Sequence, residues 1–217
     1  MNDYLKKFRD RLRITVILYT FSEAIENITT NRVSEFRTEV KIQAIDFLIR
    51  YPDFLSRELI DLLENDSQKE AAEIKAVVKE IFANKEPEIR VEEMEKFFHG
   101  AYESIDDTIA FLISINFIEY ESKKRTDGKE YDKIYYLTKF GKQKIEGNLK
   151  NIASVKWYFE RCELIRAHLG QFNGTELKKR QYKYVEEYAE VPYKSKIKGL
   201  REKVKAAYLK NFKEELV

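Results

Sequence analysis

Side chains able to do chemistry are few in this chain. Its 217 residues include one cysteine, Cys162, and two histidines, His99 and His168. Cys162 and His168 stand six apart, a spacing that puts them on different faces of a helix. A core thiol and a surface imidazole explain them better than a nucleophile pair. A structural zinc site needs more thiolates, and there is no second cysteine. The seven glycines, at 100, 128, 141, 147, 170, 174 and 199, are scattered and build no phosphate-cradling loop. Carboxylates are everywhere, so an adjacent pair such as Asp106-Asp107 marks no acid–base dyad. On a helix its two members diverge by about 100°. The expectation is a protein that is not an enzyme and takes no cofactor and no metal.

Composition narrows the class further. Charged residues make up 36% of the chain, hydrophobic residues 43%, and there are only three prolines. Such a chain favours helix and can bury a sizeable core. The 40 basic residues nearly cancel the 38 acidic ones, so any attraction for nucleic acid must come from local patches. A single cysteine precludes an intrachain disulfide, which suits the cytoplasm. Met1 to Lys7 lacks the apolar core of a signal peptide. The apolar stretches Ile14–Phe21 and Ile109–Ile118 fall short of the roughly 18–20 residues that span a bilayer. No membrane contact is expected.

Periodicity supplies the elements. Residues 1–30 read as a helix with Leu5, Phe8, Leu12 and Tyr19 on one side, although the β-branched run from Ile14 to Leu18 also suits a strand. Asn31 or Ser34 can cap a second helix carrying Phe36, Val40, Ala44, Phe47 and Leu48 inward, which Pro52 ends. A third helix buries Leu55, Leu59, Leu62 and Leu63 and stops at Asn65-Asp66-Ser67, the first candidate boundary. A helix over 69–84 follows. Glu88 to Arg90 reads as extended, and Val91 to Phe98 as a short helix. Another helix starts near Ser104, a suitable N-cap with Asp106 and Asp107 in the first turn.

The period then changes from four to two. Phe117 to Glu121 alternates as a strand, Lys123 to Lys129 is a polar loop with an Asp-Gly turn signal, and Asp132 to Leu137 returns. Thr138 can cap the next helix. Asn116 tolerates a left-handed backbone. Beyond residue 150 come an amphipathic helix (Ile152 to Leu169) and a Lys- and Tyr-rich stretch with Tyr182, Tyr184, Tyr188, Tyr193 and Tyr208, which Pro192 divides into two helical halves. Three regions result: 1–66, 67–148 and 149–217.

The order helix, short strand, helix, turn, helix, hairpin, helix resembles a winged-helix domain, a helix-turn-helix variant. Leu112-Ile113-Ser114-Ile115-Asn116-Phe117-Ile118-Glu119 is similar to that family's passage from recognition helix into wing, and Tyr135-Tyr136-Leu137-Thr138-Lys139-Phe140-Gly141-Lys142 to its exit. The resemblance covers about residues 69–148. It implies a mostly α fold: a winged-helix domain with a β-hairpin wing, flanked by N- and C-terminal helices. It also implies a recognition helix in the major groove of double-stranded DNA.

The charges divide that expectation. The wing offers Lys123, Lys124, Arg125, Lys129 and Lys133 to phosphates. A second basic stretch holds Lys194, Lys196, Lys198, Arg201, Lys203 and Lys205. The recognition helix has no Lys or Arg from Gly100 to Ile118 and presents Glu103, Asp107, Ala110, Phe111 and Ser114 outward. Major-groove readers usually present Arg, Lys, Asn or Gln. Glu103, Asp107 and an outward Phe111 suit a protein interface. The first expectation is a small DNA-binding regulator, dimerising through its terminal helices. The alternative is a winged-helix subunit that contacts proteins, such as the accessory subunits of chromosome-organising ATPases. The stretch Ile42 to Pro52 resembles small middle components of bacterial multi-gene defence systems.

Overall fold

The computed structural model describes residues 3–25, 30–65, 71–97, 100–128, 130–183, 192 and 194–216. It is mostly helical, with small antiparallel sheets. In chain order the elements begin with α1 (Asp3–Phe21), β1 (Glu23–Ala24), β2 (Arg32–Arg37), α2 (Glu39–Arg50), α3 (Pro52–Asn65) and α4 (Ala71–Ala83). Next come α5 (Glu86–Ile89), β3 (Glu95–Phe97), β4 (Gly100–Tyr102), α6 (Asp106–Ser114), β5 (Ile118–Lys124) and β6 (Glu130–Thr138). The last are α7 (Lys139–Gly147), a 3₁₀ turn (Leu149–Asn151), α8 (Ala153–Leu169), α9 (Gly174–Lys183) and α10 (Arg201–Phe212). They divide into two units: Met1–Asp46 with Glu103–Thr175, and Phe47–Tyr102 with Glu176–Val217. The segment 67–148 is thus shared, residues 103–148 falling in the first unit and 71–102 in the second.

The first unit is organised by strands distant in sequence. β2 pairs antiparallel with β6, and β6 with β5, in the order β1-β2-β6-β5. This corrects the expected helix cap at Asn31 or Ser34. Phe36 is buried and lies opposite Tyr135, while Arg32 stacks on Tyr136 at 4.0 Å and reaches Glu119 and Glu121 at 2.6 and 2.7 Å. Cross-strand partners a hundred residues away outweigh the local preference. Thr38, with φ 73°, turns the chain into α2.

The Ile14–Leu18 run is helical, and α1 ends at Phe21. From Leu12 to Leu18 it is buried all round; Leu5 and Phe8, expected inside, are 49% and 56% exposed. α1 and α8 pack on each other, with Tyr19 edge-on to Phe159 at 6.0 Å. The stripes expected to hold a second chain are therefore largely consumed within this one. Buried Arg13 joins α1 to α2 through Asp46 at 2.7 Å and also holds Asp10 at 2.5 Å.

In the second unit α3 is buried almost all round, with Phe47, Tyr51 and Phe54 clustered at its start. Tyr51 donates to the Ile197 carbonyl at 3.2 Å and accepts from the Met94 amide at 2.9 Å; burial pushes its pKa up to about 12. The stretch expected as extended, Glu88–Arg90, begins within α5, and the expected helix 91–98 is instead coil leading into β3, which pairs with β4. Residues 194–197 run along the other side of β3, with Ile197 N–H donating to the Met94 carbonyl at 3.1 Å. No helix among the described residues is long and apolar enough to cross a membrane. Asp66, Ser67, Phe98, His99, Lys129, Tyr184, Tyr188 and Tyr193 lie outside the described residues.

Candidate functional site

α6 is fixed from below and at both ends. Ile105, Ile109 and Leu112 are buried. At its start the Gln43 amide donates to the Glu103 carbonyl at 2.7 Å and accepts from the Glu103 N–H at 3.2 Å. The Glu103 carboxylate pairs with Lys6. Ser104 is not the cap: Ile105 holds that position, and the Ser104 hydroxyl donates to the Asp106 carboxylate at 3.2 Å. At the other end Asn116 takes the expected left-handed conformation, φ 59°. The Thr138 hydroxyl donates to the Asn116 carbonyl at 2.7 Å and accepts from the Gly141 N–H at 2.9 Å, so it caps α7 as expected and ties it to the end of α6. A Cβ on Gly141 would overlap the Phe117 carbonyl oxygen, which explains glycine there.

The exposed face of α6 consists of Asp106, Asp107, Ala110, Ile113 and Ser114. Two expected members leave it. Phe111 is half-buried with the Arg11 guanidinium 3.8 Å above its ring, and Glu103 is half-buried and paired. Ile113 is 41% exposed. Asp107 makes no hydrogen bond or ion pair among the described residues. Beyond the helix, Phe117 and Phe140 meet edge to face at 6.0 Å, and Lys144 lies over Phe140 at 5.4 Å.

The hairpin β5–β6 is present as expected, and two of its described cations are held by neighbouring carboxylates. Lys123 pairs with Asp132 and Lys133 with Glu39, both at 2.5 Å. Burial works against the Lys133 charge, but the Glu39 carboxylate outweighs it and the pKa rises. Lys124 faces Glu130 across the ladder, and Arg125 lies 5.7 Å from the Tyr131 ring centre. Both are exposed at the tip.

No family model, curated protein or solved structure matches this chain.

The second basic stretch lies in the other unit and is partly tied down. Lys196 pairs with Glu93, and Arg201 with Glu88 at 2.9 Å. Lys194 N–H donates to the Lys96 carbonyl at 2.9 Å. Lys198 and Lys203 are exposed and Lys205 half-buried. Cys162 and His168 are both buried in α8, so the imidazole expected at the surface is inside. Burial pushes the Cys162 thiol well above its ordinary range, the reverse of an activated nucleophile.

Gln43, Arg11 and the outward place of Ile113 escaped the sequence reading. Only Gln43 carries a weak signal, since a polar residue inside an apolar run, as it is within Ile42-Gln43-Ala44-Ile45, needs a buried partner.

Proposed function

We propose that the first unit is a winged-helix module that serves as a protein-contacting subunit of a larger assembly, with α6 as its contact face and no base-specific reading of DNA. The order α1, β2, α2, α6, β5, β6 supports the winged-helix reading, with β2, β6 and β5 as its sheet and residues 47–102 inserted between its second and third helices. The observation that carries the functional half is the face of α6: two carboxylates, Ala110, Ile113 and Ser114, without a cation. In a major groove those carboxylates would approach phosphates, at a cost of about 1 kcal/mol each in water-like surroundings. On a protein partner they find cations, and Ile113 finds apolar surface.

Fluorescence-anisotropy titration with random and genomic duplexes tests this. Binding no tighter than about micromolar at 150 mM salt, without sequence preference, is the expected outcome. A nanomolar complex with one sequence would refute the reading. The exposed wing tip, Lys124 and Arg125, supports a secondary role in sequence-independent phosphate contact.

A further inference from the structure

From the layout of charge and apolar surface on α6 and α7 we infer that this face pairs with a second copy of the chain, two α6 helices crossing antiparallel about a two-fold axis. The inference rests on α6 being a protein-contact face and names what it contacts. Asp106, Ala110 and Ile113 follow at spacings of four and three, so they form one line along the helix. α6, nine residues long, extends about 13 Å, and that line covers about 10 Å of it. Its N-terminal end is acidic, with Asp106 and Asp107 exposed. Beyond its C-terminal end the start of α7 is tied to Asn116 through Thr138, and there Phe140 is 39% exposed, abuts Phe117 and carries Lys144 over its ring. The order is therefore acid, small residue, apolar residues, base.

A patch with that order complements itself only when reversed. Parallel superposition would set carboxylates on carboxylates, whereas a two-fold axis brings Asp106 and Asp107 of each copy to Lys144 of the other. This is the symmetric, self-complementary contact that two-fold dimers require. Ala110 lies near the centre, where a side chain of one carbon lets the helices approach. Ile113 and Phe140 follow it toward the basic end as apolar anchors. Like-charge repulsion in every other register supplies specificity.

Sedimentation equilibrium on the full chain, from about 1 to 100 μM at about 50 mM salt, brackets what so short a contact can hold. The expected result is a dimer that Ile113→Glu converts to monomer at every concentration. Asp107→Lys and Lys144→Glu should each weaken it by about tenfold or more. The two together should restore it, because every interface then holds the swapped pair; a merely unfolded variant would not be rescued. A wild-type monomer at 100 μM, a dimer indifferent to Ile113→Glu, or failure of the swap to restore pairing would each overturn the inference. Duplex titration of the same samples separates the two levels. A monomer that shows no sequence-specific duplex binding defeats only the pairing. Nanomolar binding to one sequence that Ile113→Glu removes defeats the contact-face reading as well.

Discussion

The wing and α6 belong to the same unit and use charge in opposite ways. The wing has the cations a nucleic-acid contact would want, but Lys123 and Lys133 already answer Asp132 and Glu39. α6 has no cation, and Asp107 projects without a partner among the described residues. Counting charge along the sequence ranks the wing first as a binding element. Counting charge that the fold leaves unanswered closes that gap, because an ion pair already closed has little attraction left to offer a third group: the wing keeps Lys124 and Arg125 at its tip and α6 keeps Asp107.

The comparison breaks most completely if the frame under α6 is lost. Asp46→Ala would leave buried Arg13 with Asp10 but without its buried partner carboxylate, and about 3 kcal/mol of stability should go with it. Urea denaturation measures this; a loss under about 1 kcal/mol would mean Arg13 finds water or another acceptor. A sharper cut is Gln43→Leu. It deprives the Glu103 backbone of both its donor and its acceptor and should cost about 1–3 kcal/mol. Faster hydrogen exchange over 103–106, with exchange in β5 and β6 unchanged, would show that Gln43 specifically positions the start of α6.

The smallest effect lies in the wing. The Lys123 ammonium holds the Asp132 carboxyl below its ordinary 3.8. A depressed carboxylate pKa contributes stability that is complete above the unfolded value and is lost as pH falls through the folded one. Asp132→Asn should therefore be slightly less stable than the parent at pH 7, and the two should converge at strongly acidic pH. The same change releases Lys123, and the salt dependence of any weak duplex binding should steepen by about one counterion. An unchanged slope would mean that Lys123 does not reach phosphate even when released.

What could be read from the sequence was what neighbours in the chain decide. The hairpin, the break at Pro52, the left-handed Asn116 and the Thr138 cap depend on residues a few positions apart, and all appear as expected. β2 could not be read that way, because its reason for being a strand is β6, a hundred residues on. The grouping of the first-unit helices was likewise hidden: residues 47–102 interrupt them in sequence, so the nearest helices in sequence to α6 belong to the other unit. On α6 itself the acidic character was legible and the apolar member was not. Whether Phe111 or Ile113 projects depends on Arg11, which covers the phenyl ring from α1.

The most direct test of α6 as a protein face is the duplex affinity of the Asp106→Asn, Asp107→Asn double variant, measured by anisotropy beside the parent at about 50 mM salt. If α6 stays away from DNA, the two curves superimpose. If α6 lies in the groove, removing two carboxylates from among the phosphates raises affinity about tenfold or more, and that rise would contradict the account.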